Sequence, residues 1–166
     1  MDIKRIFKHL SSSHAAMRRM FSRATLNRIE QTISATEKTH AGQVRFVVEN
    51  ALDLKLLLTG LSARERAIEV FSRLRIWDTE HNNGVLIYLL LADRKVEIVA
   101  DRGVHAKLGQ HTWEAICREM ETEFRHGKFE EGAIAGIHKV GTHLTAYYPQ
   151  VGGNKANELP DQPILI

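Results

Sequence analysis

Apolar positions along this chain fall into two rhythms. Within residues 43–50, Val44, Phe46 and Val48 alternate with Arg45 and Glu49, the two-residue period of a strand, while Val47 puts an apolar residue on the second face. That pattern predicts a strand covered on both sides. Residues 84–92 are almost wholly apolar over a strand-like length, which predicts the central strand of a sheet held between two layers. Asp93 and Arg94 have turn character, and Val96, Ile98 and Val99 resume the apolar pattern over 95–100. A tight antiparallel hairpin is the economical connection.

The second rhythm is helical. Leu26, Ile29 and Ile33 mark one face after Thr25, and Ala67, Val70, Phe71 and Leu74 mark another that runs to about Ile76. Trp113, Ile116, Met120 and Phe124 predict a third helix, and Ile134, Ile137, Val140, Leu144 and Tyr148 a fourth that begins near Phe129. Ser62 and Glu65 have capping-box spacing, so the second helix is expected to start there. Residues 51–60, with Leu52, Leu54 and Leu56 to Leu58, fit either an extended edge or a short helix.

The order helix, strand, helix, strand, strand, helix, helix favours a parallel strand pair with a right-handed crossover. It predicts an α/β fold, a three-layer α/β/α sandwich on a small mixed sheet with an antiparallel edge. One domain is expected over 24–148, with a basic amphipathic segment over 1–23 ahead of it and a disordered tail over 149–166 behind it, where Gly, Asn and Pro replace periodicity.

Composition narrows the function. A chain of 166 residues, 43% hydrophobic and 26% charged, buries roughly 70% of its unfolded surface and needs no metal or cross-link to fold. The net charge of +3 does not describe a nucleic-acid scaffold. The single Cys117 excludes an intrachain disulfide and a multi-thiolate zinc site. No apolar leader follows Met1 and the longest apolar run is too short to span a bilayer, so a cytoplasmic location is expected, peripheral to the inner membrane if the first segment binds there. In that segment Lys4, Arg5, Lys8, Arg18, Arg19 and Arg23 stand against Asp2 alone, while Ile3, Ile6, Phe7 and Leu10 recur at helical spacing. Such a stripe serves an anionic lipid surface or a membrane-associated partner, or it packs as a terminal helix on its own domain.

No phosphate-binding glycine loop, zinc-protease motif or nucleophile elbow is present. The expected topology instead gathers loops at the two sheet ends: Glu49, Asn50, Asp93 and Arg94 at one, and His40, residues 78–83, Asp101, Arg102 and His105 at the other. Carboxylates and imidazoles at the second end could hold a hard cation or act as acid and base on a phosphate ester. The plainer alternative is that these are solvated loops, with Asp93 and Arg94 an exposed turn pair of little energetic worth. Cys117 lies beside the buried face of its helix and reads as an inert thiol, and Trp77 and Trp113 read as core or rim aromatics.

The run Asn83-Gly84-Val85-Leu86-Ile87-Tyr88-Leu89-Leu90-Leu91, the Asp93-Arg94 hairpin, the Gly103 turn and the Phe124-Arg125-His126-Gly127-Lys128-Phe129-Glu130-Glu131-Gly132 segment resemble the TPM-domain family, some of whose members are called TPM phosphatases. The resemblance covers about Leu26 to Tyr148. It implies a small α/β/α sandwich, an acidic cleft that binds calcium or another divalent ion in some members, and a weak phosphatase activity in plant relatives linked to photosystem II repair. Many bacterial members are exported and anchored, and this chain resembles a shorter cytoplasmic branch. It also departs from the pattern. Asp101-Arg102-Gly103-Val104-His105 stands where relatives have Gly-x-Gly-Leu-Glu, Gln110 stands where an aspartate often opens the next helix, and the place of the early aspartate that precedes the first helix in exported members falls in the Arg-rich Met17 to Arg23 stretch, which holds no aspartate. Imidazole and amide in place of carboxylate weaken a hard-cation site.

Two readings follow. In one, a weak metal-dependent phosphatase uses Asp78, Asp101 and His105 to hold a divalent cation (Ca²⁺, Mg²⁺ or Zn²⁺). His105 doubles as proton donor and Arg102 clamps the phosphate. The other, favoured by the lost acidic positions, is a non-catalytic interaction module with a membrane-associated partner or an anionic lipid surface, reached through residues 1–23.

Overall fold

Every residue of β1 (Gln43–Glu49) is buried, as a strand covered on both faces requires. The computed structural model describes residues 3–151 and 157–166. Among the described residues, β1 is preceded by α1 (Ile3–Leu10), α2 (His14–Met20) and α3 (Arg23–Thr36). After it come α4 (Leu54–Leu58), α5 (Ala63–Arg73), β2 (Gly84–Leu90), β3 (Lys95–Ala100), α6 (Arg102–Leu108), α7 (Gln110–Arg125), α8 (Phe129–Tyr147) and β4 (Ile164–Leu165). The sheet runs β3-β2-β1-β4. β1 and β2 are parallel, with Val44 opposite Val85. β2 and β3 form the expected antiparallel hairpin, and β4 lies parallel to the free edge of β1.

Side-chain alternation divides the strands between two cores. Phe46, Ile87 and Ile98 face α2, α3, α7 and α8, where they meet Phe21, Ile29, Trp113 and Ile137. Val47, Leu86 and Val99 face the opposite layer, formed by α4 and α5 with Leu57, Ala67 and Val70. Full burial of a side chain such as Phe46 or Ile87 contributes roughly 1.5–3 kcal/mol. The three-layer α/β/α order expected from the pattern is therefore present.

The capping box at α5 forms as its spacing predicts: Ser62 Oγ accepts from the Glu65 amide, and the Glu65 carboxylate accepts from the Ser62 amide. In the β2–β3 hairpin Arg94 adopts a left-handed backbone, φ 54°, which glycine would take without strain. Residues 51–60 resolve as the short helix α4.

Within the segment 1–23, α2 and its C-cap deliver Met17 and Phe21 into the larger core. The expectation of a disordered tail over 149–166 fails at its far end, where β4 pairs with β1 and the Ile166 amide donates to the Val48 carbonyl at 2.9 Å. Residues 152–156 of that tail lie outside the described residues.

Candidate functional site

The starts of β1 and β2 and the end of β3 form one rim of the sheet. Loop 78–83 and the first turn of α6 meet there closely: a Cβ on Gly103 would stand 2.7 Å from the Asn82 carbonyl oxygen. Asp101 is the N-cap of α6. One of its oxygens accepts from the Arg102 amide at 2.7 Å, and Oδ2 is buried with no hydrogen-bond partner among the described residues. Tyr148 lies close by, its phenol pushed above the ordinary range by burial and then by the Asp101 charge. Arg102 and His105 are exposed on α6, and Asp78 is exposed in the loop before β2.

These residues share a rim without making a ligand cage. Among the described residues, no group of three or more His, Cys, Asp or Glu side chains could hold a metal ion. A calcium-like cation wants about six to eight oxygen ligands. Asp101, already committed to its helix cap, is the one buried carboxylate in the expected set of Asp78, Asp101 and His105. The donor set does not fit the acidic cleft that the family resemblance implies. Cys117 offers no nucleophile in its place, since burial first and the Glu97 charge second push its thiol up to about 12.

The opposite rim, at the carboxyl ends of β1 and β2, is where the N-terminal helix docks. Arg5 forks onto Asp93 with contacts of 2.8–3.1 Å, and His9 Nε2 lies 2.9 Å from the same carboxylate. His9 Nδ1 accepts from the Leu52 amide at 2.9 Å, so the proton sits on Nε2 and is donated to Asp93. Burial works against the Asp93 charge, but the hydrogen bonds from Arg5 and His9 outweigh it and hold the carboxyl below its usual range. Ser12 Oγ donates to Asn50 Oδ1 at 2.9 Å, which extends the polar seam.

This mode of attachment turns the helix outward. Ile6 is the apolar residue of α1 that packs against the smaller core. Ile3, Phe7 and Leu10, at the i, i+4, i+7 spacing of one face, remain 72%, 72% and 66% exposed. α4 packs beside α1 and adds Leu54 and Leu58, 47% and 57% exposed. Lys4, Lys8 and Lys55 are exposed on the same two helices. The apolar stripe is legible in the sequence, but the polar anchors Arg5 and His9 were missed. Their i, i+4 spacing on one flank was the available signal.

A family profile described as the TPM domain matches residues 16–143. No curated protein matches the chain. The NMR structure of BA42 from the psychrophilic bacterium Bizionia argentinensis is similar, with a TM-score of 0.74 and 26% identity over 87% of this chain and 94% of that one. The solution structure of the N-terminal domain of a protein from P. gingivalis shares the fold, with a TM-score of 0.62 and 18% identity over 80% of this chain and 82% of that one.

Proposed function

The chain belongs to the TPM domain family, and from that premise we propose that it is a non-catalytic module which docks on an anionic membrane surface through α1. The observation that carries this reading is the outward mounting of α1: Arg5 and His9 bind the domain while Ile3, Phe7 and Leu10 face out. Folding alone gives no return for an apolar ridge left in water. Seating each of those side chains in the headgroup and acyl boundary is worth roughly 1.5–3 kcal/mol. Each lysine near an anionic surface contributes about 1 kcal/mol more. Among the described residues no helix is long and apolar enough to cross a membrane, so α1 would lie in the interface plane.

The test is flotation of the full chain with phosphatidylglycerol-containing vesicles and with neutral phosphatidylcholine vesicles. The reading expects binding to the anionic vesicles, weakened by salt and lost in Phe7→Asp, whose site is exposed enough to leave folding intact. A protein that stays with the soluble fraction, or floats equally well with Asp at position 7, removes the reading. The phosphatase alternative is tested on the same material: hydrolysis of a phosphomonoester with added divalent ions, lost in Asp101→Ala, would replace the non-catalytic assignment.

A further inference from the structure

Beside α1, at the carboxyl ends of β1 and β2, lies a cleft of about 440 Å³. Ligands of open α/β sheets bind in crevices at this end of the strands, and the volume falls in the range of small-ligand pockets, roughly 300–1,000 Å³. Leu89, Leu91 and Met20 contribute apolar surface to it. Phe124 and Phe129 also line it, stacked on each other with ring centroids 5.5 Å apart and planes inclined by 19°.

The polar lining carries mostly one sign. Lys8 from α1, Arg94 and Lys95 from the hairpin, and Arg125 from α7 converge on the cleft, against a single carboxylate among the described residues, Glu121. Glu121 is already engaged, accepting from the Val96 amide at 3.1 Å and lying 3.5 Å from Lys95 Nζ. Asp93, next to Arg94 in sequence, is held by Arg5 and His9. Among the described residues, neither Lys8 nor Arg94 has a carboxylate within ion-pair distance. Arg94 also occupies the left-handed turn position that glycine would relax. A left-handed backbone that carries into a small-molecule-sized cleft a cation paired with no described carboxylate has the character of a binding residue.

We propose that this cleft binds a small organic phosphate. Lys8 and Arg94 take the phosphate, Lys95 and Arg125 add to the field, and the non-polar part of the ligand lies on Phe124 and Phe129. The phosphate could belong to a soluble metabolite or to a lipid headgroup, and the inference does not depend on α1 docking at a membrane.

The experiment is an amide-shift NMR titration of the full chain with inorganic phosphate, adenosine monophosphate, adenosine, and dihexanoyl phosphatidic acid below its micelle concentration. Saturable shifts centred on Leu91, Arg94 and Phe124 are expected with an organic phosphate, tighter than with inorganic phosphate and absent with adenosine. Preference for the nucleotide points to a soluble ligand, and preference for phosphatidic acid points to a headgroup. Arg94→Gly removes the guanidinium at a position whose backbone suits glycine, so the fold survives. It should weaken binding about tenfold. Phe7→Asp, which disables the proposed membrane ridge, should leave the titration unchanged, so the two readings fail separately. Absence of saturable binding by both organic phosphates, or undiminished binding in Arg94→Gly with Lys8→Gln, overturns the proposal.

Discussion

The two carboxylate oxygens of Glu49 sit in the fork of Arg66, with contacts of 2.9–3.2 Å, and Oε2 also accepts from the Tyr88 hydroxyl at 2.6 Å. The triad ties the end of β1 to α5 and to β2 across the smaller core. Burial first, and the hydrogen bond to Glu49 second, push the Tyr88 phenol far up, so it stays a proton donor. Glu49→Ala removes the two-pronged partner of the buried Arg66 and leaves it only the half-exposed Glu69, 3.1 Å away, and is expected to cost about 3–4 kcal/mol in urea unfolding. Tyr88→Phe removes one bond to a charged acceptor and should cost less, about 1.5–3 kcal/mol. Equal losses would show that the ion pair is not the dominant member.

Gly84 opens β2 against the turn after α5. A Cβ there would lie 2.0 Å from the Ile76 carbonyl oxygen, a backbone atom that cannot rotate away. Gly84→Ala is therefore expected to destabilise by about 1–3 kcal/mol or more, read as a fall in the urea midpoint with an unchanged slope.

Cys117 gives a chemical check on the larger core. With its thiol raised to about 12, almost none is thiolate at neutral pH. Alkylation of the native protein should be about a hundredfold slower or more than in urea, where the thiol returns to its usual pKa of about 8.5. Comparable rates in both states would mean that α7 does not shield it.

These elements differ in how far the sequence announced them. β2 was legible because a strand buried on two faces is apolar in a continuous run, β1 because Val44, Phe46 and Val48 alternate with charged residues, the hairpin because Asp93 and Arg94 break two such patterns, and the cap at Ser62 because its partner Glu65 lies three residues on. β4 was not, since it is held by backbone bonds such as Asn50 N to Ile166 O at 2.8 Å, and pairing over such a separation leaves no local pattern. α6 was missed because its seven residues bury only Val104. The stripe of α1 was visible, but the face that docks depends on Asp93, 88 residues from Arg5. Likewise the basic cleft draws on Lys8, Arg94 and Arg125, which no spacing rule connects.

The Asp93 clamp makes the seating of α1 depend on pH, and the sign follows from the direction of its shift. Asp93 is held below its ordinary pKa because Arg5 and His9 hydrogen-bond its charged form more strongly than burial opposes it. A depressed carboxylate stabilises the docked state fully above the unfolded value, about 3.9, and loses that contribution as pH falls through the lower folded value. Hydrogen exchange over residues 3–10 should therefore show constant protection at and above about pH 5, then a decline below about pH 4. In Asp93→Asn the neutral amide cannot bind Arg5 as an anion does, so protection should be low at neutral pH and should lack the acid step. The core amides of β2 supply the control, because they belong to the sheet and must outlast α1 if undocking is local. If α1 and β2 lose protection together, the helix is part of one cooperative unit and the polar seam does not act as a separate hinge.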